Sequence, residues 1–260
     1  MTIIICLVAF IASLLTLYSG FGLGTILLPV FSVFFPLPVA IGATAVVHLL
    51  NNFFKVYLVG RDADWNTVFR FAIPASVAAI GGALLLKTLE GIGSLVKYQL
   101  GEKNFEIKAV NLTIGILIIF FALLELLPQL KRLSFSSKYL PFGGLLSGFF
   151  GGLSGLQGAL RSAFLIRTGL TKEQFIGTGV IAAVIVDISR LLIYGITFYH
   201  TQFSSIKGEM WRLLALASLS AFIGAYFGKK LIKKITIDTI QKIVGIMLII
   251  AGMALAIGVV

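Results

Sequence analysis

The sequence predicts an all-α integral membrane protein made of two homologous repeats. Each repeat holds a glycine-broken segment followed by three spanning helices. Three observations predict this: an extreme hydropathy, apolar runs of bilayer length, and a self-similarity at a fixed offset. Of 260 residues, 58% are hydrophobic and 12% are charged, and the mean hydropathy is +1.05. A soluble domain carries about a quarter charged residues, so this chain cannot cover a water-facing surface. Apolar runs of about 20 residues match a bilayer core.

The apolar segments are 2–35, 38–59, 67–88, 107–128, 139–168, 174–199, 211–231 and 237–259. Six have the length of ordinary spanning helices, whereas 2–35 and 139–168 are too long or are broken by glycine. The run Thr2 to Tyr18 lacks a basic flank and is followed at once by more apolar sequence, so it reads as part of the mature chain and not as a signal peptide. Charged gaps separate the segments: Arg61-Asp62-Ala63-Asp64, the stretch from Glu90 to Glu106, Lys131-Arg132, and Lys229 to Lys234. No hydrophilic run is long enough for a soluble domain. One membrane domain results, with a first repeat over 1–130, a basic linker over 131–138 and a second repeat over 139–260.

The duplication is visible directly. At an offset of 135 residues, Ser19–Gly60 falls on Ser154–Gly195 without a gap. Polar positions coincide, not only apolar ones: Asn52 falls on Asp187 and Lys55 on Arg190. Weaker matches follow at other offsets, with Ile80-Gly81 on Ile223-Gly224 and Gly115 on Gly245.

Ser19-Gly-Phe-Gly-Leu-Gly-Thr25 interrupts the first long run, and Ser154-Gly-Leu-Gln-Gly-Ala159 interrupts the fifth. Glycine permits unwound backbone. Backbone groups freed at membrane depth must face protein or a water-filled cavity. Interrupted segments at matching places in two halves point to a transporter binding site. A helix that restarts after such a break offers free N–H groups and a positive dipole end, which suit an anion. Gly22, Gly24, Thr25, Gln157 and Gly158 are therefore candidate contacts. Close helix packing through small residues is the competing reading of the same glycines.

His48, Asn51, Asn52 and Lys55 share one helix face, and the matched positions carry Ala183, Val186, Asp187 and Arg190. Ionisable groups inside spanning segments cost a few kcal/mol at mid-depth, so they face an interior pathway or each other. Lys55 and Arg190 thus present two cations to one central site, and Arg161, one turn past the second break, joins the lining. Arg binds oxyanions through a bidentate fork and Lys as a point charge. Asp187 is a candidate for carrying a coupling proton. Plainer readings stand beside these: Lys55 snorkelling to the interface, Asp187–Arg190 as a structural ion pair, and His48 as a neutral packing residue.

The net charge of +11 comes from Lys and Arg crowded between the apolar runs. It fits basic cytoplasmic loops and not a nucleic-acid surface, since no basic stripe interleaves with aromatics. If 2–35 and 139–168 are re-entrant, each repeat crosses three times and the two are inverted; if each crosses once, the repeats are parallel. The inverted arrangement gathers Arg61, Lys131, Arg132, Lys138, Arg167, Lys172 and the Lys229–Lys234 cluster on one side, and is favoured. A multi-pass protein of a prokaryotic plasma membrane is the corresponding location. Cys6 is the single cysteine, so neither an intramolecular disulfide nor a cysteine metal cluster is expected. No cofactor or metal site is visible.

The paired glycine motif, Gly20-Phe-Gly-Leu-Gly24 with Pro29 and Gly155-Leu-Gln-Gly158, carries a family resemblance. So do Gly42-Ala43-Thr44 and Gly177-Thr178, the endings Tyr57-Leu-Val-Gly60 and Leu192-Ile-Tyr-Gly195, and the Asp64-Trp65 pair. Over nearly its whole length the chain resembles the sulfite exporter TauE/SafE family, four-transmembrane-repeat sulfur anion permeases. The resemblance implies permeation of small sulfur-containing anions such as sulfite, sulfonates or related organic anions. Gln157 and Ala159 stand where glycines are usual, as does Leu23, and Gln157 adds a side-chain donor. Two other classes compete. A passive anion channel shares every feature above. An intramembrane serine protease is suggested by Gly152-Leu-Ser154-Gly155, but it needs a histidine near Ser154, and His48 and His200 are the two available.

Overall fold

The computed structural model describes residues 1–16, 22–131, 133–198, 208–231 and 237–260. The fold is a helical membrane domain. Helix α1 (Thr2–Thr16) precedes the first break, and α2 (Leu23–Ser32) follows it. The break residues Ser19 and Gly20 lie outside the described residues. Then come α3 (Leu37–Val59) and α4 (Trp65–Ile92). Strands β1 (Ser94–Leu100) and β2 (Lys103–Lys108) precede α5 (Ala109–Leu126) and the short α6 (Pro128–Lys131). In the second half, α7 (Leu140–Ser154) and α8 (Gly158–Leu165) flank the second break. They are followed by α9 (Lys172–Phe198), α10 (Glu209–Leu231) and α11 (Ile237–Ala256).

Local chemistry sets these boundaries. Pro38 sits in the first turn of α3, where its missing N–H costs nothing. Asp64 caps α4, its carboxylate accepting the Thr67 N–H at 2.8 Å. The same N–H, with the Thr67 side chain, holds the Asp64 carboxyl below the usual carboxylate range. Gly155 ends α7 at φ +81°, a left-handed conformation that favours glycine.

Among the described residues, five helices are long and apolar enough to cross a membrane: α3, α4, α5, α9 and α10. The sixth expected span, 237–259, contributes a shorter apolar stretch, Lys242–Ala256. Burial separates the spans by position. In the α3 window 72% of residues are buried and in the α9 window 56%, against 39% in α4. So α3 and α9 are central, and α4 shows a broader face to lipid. The broken segments are shorter. The longest pieces, α1 and α7, have 15 residues each. At 1.5 Å per residue each reaches about 22 Å, short of a core of about 30 Å. Moreover, α1 packs on α2, and α7 on α8.

Small residues set the helix pairing. Gly144, Gly148 and Gly152 of α7 lie against the backbone at Phe71, Ala75 and Ala79 of α4, where a Cβ would overlap each. Gly224 and Gly228 of α10 lie in the same way on Phe10 and Leu14 of α1. Gly115 of α5 meets Gly252 and Ala256 of α11. Lipid supplies no hydrophobic drive between helices, so this close approach, with its dispersion contacts, is what holds them.

One element departs from the all-helical expectation. The stretch from Glu90 to Glu106, read from sequence as a charged gap, forms most of the antiparallel β1–β2 hairpin, which runs on to Lys108 at the start of the expected segment 107–128. Gly101 at φ +62° opens its two-residue turn. Tyr98 stacks on Phe105 with ring centroids 5.3 Å apart, and its hydroxyl donates to the Ile257 carbonyl at 2.6 Å. The hairpin is thereby tied to the end of α11.

Candidate anion site

The polar face of α3 is buried although it carries charge: His48, Asn51, Asn52 and Lys55 are all 5% exposed or less. Opposite it, Asp187 and Arg190 of α9 are fully buried. The Asp187 carboxylate is shared. Its Oδ1 accepts Arg190 Nη2 at 2.7 Å and Nε at 3.0 Å. Its Oδ2 accepts from His48 Nδ1 at 2.6 Å and Asn52 Nδ2 at 3.1 Å. The carboxylate is therefore satisfied from both helices, as a buried charge requires.

Arg190 reaches one more feature. A Cβ on Gly155 would stand 2.6 Å from Arg190 Nη1. The left-handed glycine thus makes room for the guanidinium at the second break. Tyr194, one turn on, donates its hydroxyl to the Gly152 carbonyl. Asn51 turns the other way and accepts from the Ser13 hydroxyl at 3.0 Å.

Beside this cluster lies a cavity of about 220 Å³. Its polar wall includes His48, Asn52 and Lys55 from α3, Arg161 and Ser162 from α8, and Lys172 at the start of α9. Its apolar wall includes Leu165, Phe175 and Val180. Gly22 and Leu23, at the start of α2, also line it. No side chain among the described residues caps α2; the Thr25 N–H turns to the Gly22 carbonyl at 3.1 Å, and the Leu23 and Gly24 N–H groups at this helix start suit a ligand or water.

Lys55 has no ion-pair or hydrogen-bond partner among the described residues. Arg161 Nη1 is likewise buried without one. The two cations share this lining, and no described lining residue is acidic. Gly179 leaves space for Arg161: a Cβ there would stand 3.5 Å from its Nε.

The sequence-derived candidates are thus distributed. His48, Asn52, Lys55, Arg161 and Gly22 meet in the cavity. Arg190 and Asp187 stand behind His48 and Asn52, bonded to each other. Gly24, Thr25, Asn51, Gln157 and Gly158 are not in the lining. Gly24 lies where the breaks meet, its Cβ position 3.6 Å from the Gly155 carbonyl oxygen. Gln157 is buried with both amide atoms unpartnered. Sequence reasoning missed Thr44. It continues the α3 stripe one turn below His48, has an unpartnered buried hydroxyl, and touches Gly24. Its spacing of four residues from His48 was the available signal.

The family pattern described as Sulfite exporter TauE/SafE matches residues 5–255. The chain belongs to the sulfite exporter TauE/SafE family. No curated protein and no solved structure matches it. TauE/SafE proteins are membrane transporters rather than enzymes. Ser154, the residue that suggested a protease, donates to the Phe150 carbonyl at 3.0 Å. His48 bonds Asp187 instead. His200 lies outside the described residues. Among the described residues, no group of three or more His, Cys, Asp and Glu is placed to hold a metal.

Proposed function

We propose that the protein is a secondary transporter that moves small sulfur-containing or organic anions, such as sulfite or a sulfonate, across a prokaryotic plasma membrane. One observation carries this reading. Lys55 and Arg161 line a membrane-depth cavity without a described counterion. Burying unpaired charge is costly, and an anion in the cavity removes that cost for both residues at once. Asn52, Ser162 and the N-terminus of α2 supply hydrogen bonds, and the apolar wall accommodates an organic part.

A proton is the coupling ion in this reading. His48 lines the cavity and bonds Asp187 through Nδ1, so it links the cavity to the carboxylate. Inverted repeats supply the frame. The 135-residue offset also relates element starts, Leu23 to Gly158 and Leu37 to Lys172. It further relates two contacts, since α1 on α10 and α7 on α4 are equivalent pairings. The short, mutually packed pieces α1–α2 and α7–α8 favour re-entrant segments over single crossings.

Flux into proteoliposomes tests the proposal. An imposed pH gradient should drive sulfite or sulfonate uptake above the equilibrium level in wild type and not in Asp187→Asn. Flux that only dissipates the anion's own gradient is the signature of a passive channel. No flux of any tested sulfur or carboxylate anion would remove the transport reading.

A further inference from the structure

The protein holds a second, larger cavity, of about 540 Å³. Its walls include Ser32 and Phe35 at the end of α2, Pro38 at the start of α3, and Glu90 at the end of α4. The β1–β2 hairpin contributes Ser94 and Glu106, and α5 contributes Asn111.

Its position relative to the candidate anion site is fixed by two helices. Helix α2 starts in the first cavity, at Gly22 and Leu23, and ends in the second, at Ser32. Helix α3 starts in the second cavity, at Leu37 and Pro38, and reaches the first at His48, Asn52 and Lys55. From Pro38 to Lys55 the helix rises about 25 Å at 1.5 Å per residue, most of a bilayer core. The two cavities therefore open toward opposite faces, with the ten-residue α2 between them.

That partition is weak for its position. It carries Pro29 in its interior, so the ordinary i→i−4 hydrogen bond to the Thr25 carbonyl is missing. Its start meets Thr44, whose hydroxyl is unpartnered, and the carbonyl of Gly155. Buried polar groups without partners are costly and rare. Here they continue the α3 stripe beyond the first cavity in the direction of the second.

We infer that the second cavity is the opposite mouth of the same permeation path, separated from the anion site by α2 and roofed by the β1–β2 hairpin. This rests on the transport reading. The electrostatics of the two mouths differ in a way that suits passage. The first presents unpaired Lys55 and Arg161; the second presents Glu90 and Glu106 with Lys108. An anion is held at the first and released at the second.

Cysteine labelling tests this. In a Cys6→Ser background that still transports, Ser162→Cys marks the first cavity. Ser94→Cys and Asn111→Cys mark the second, Ser94 being exposed on the hairpin. A charged, membrane-impermeant thiol reagent is applied from either face of oriented vesicles, and sulfite flux and sulfoacetate flux are measured before and after. The expected result has three parts. Ser162→Cys reacts from one face only, and the second-cavity cysteines react from the other only. Modification at either mouth cuts flux at least fivefold. Labelling of both mouths from the same face overturns the inference. So does normal flux after full modification of Ser94→Cys and Asn111→Cys, which leaves the transport reading intact. If the background protein moves neither anion nor any other tested, the transport reading fails and the inference falls with it.

Discussion

The Asn52 side-chain amide donates to the Asp187 carboxylate at 3.1 Å, and the two residues are 135 positions apart. That separation is the repeat offset, so two residues equated by the duplication touch each other. The contact joins α3 to α9 beside the cavity. The two positions differ in kind: one is an amide and the other a carboxylate that three neighbours share.

Asp187 is the sole carboxylate of this buried cluster, and Arg190 is fully buried against it. Removing one member of a buried pair leaves the other uncompensated, at a cost of about 3–5 kcal/mol. Asp187→Ala should therefore lower stability by that amount in detergent, read as a fall in the thermal midpoint. Arg190→Met in the same chain should recover part of it. Equal midpoints for Asp187→Ala and wild type would mean that Arg190 finds another anion.

Lys55 and Arg161 should behave in the opposite way. Neither has a described counterion, so Lys55→Met removes a buried unpaired charge and should raise the ligand-free midpoint or leave it unchanged. The same change, and Arg161→Gln, should weaken anion binding tenfold or more, because each deletes a charge-assisted contact. Ligand-dependent stabilisation measured against sulfite and sulfoacetate separates the two effects. Loss of stability with unchanged anion response would make both residues structural.

Much of this was legible in the sequence, and the failures have physical causes. Lipid leaves hydropathy as a direct record of span length, so the segment 38–59 anticipates α3 at Leu37–Val59 within a residue. The second break was legible because a left-handed turn at membrane depth calls for glycine, here Gly155. The hairpin was not. Its charged residues hid the alternation of Val96, Tyr98 and Leu100 and of Phe105 and Ile107 around Gly101. The offset equates Lys55 with Arg190 but cannot say which cation is already neutralised. Asp187, three residues before Arg190 on the same helix, takes it, and Arg161 stands with Lys55 in the cavity.

Gly155 should tolerate no side chain. Its φ is +81°, which costs an L residue about 1 kcal/mol or more. Its Cβ would also press on Arg190 Nη1 at 2.6 Å. Gly155→Ala should destabilise the fold and displace Arg190 from Asp187. Gly81→Ala is the control. Gly81 lies within α4 with nothing within 4 Å of a Cβ, so that change should be neutral or slightly stabilising. Matching midpoints for the two variants would mean that the break relaxes without cost.

Asp64 gives a prediction outside the membrane core. Its carboxylate caps α4 through the Thr67 N–H, and hydrogen bonding from the Thr67 side chain, with that from its backbone, lowers the Asp64 pKa in the fold. A depressed carboxyl pKa contributes stability that is present above the unfolded value and lost as pH falls through the folded one. Asp64→Ala should cost about 1 kcal/mol at neutral pH. The gap to wild type should close as the pH drops below the folded pKa of Asp64, where the wild-type cap is protonated. Thermal midpoints of both proteins across pH 3 to 7 give the comparison. A gap that persists at the acid end would assign the loss to the Asp64 backbone or to the Thr178 hydroxyl that accepts its N–H at 2.9 Å, and not to the charge of the cap.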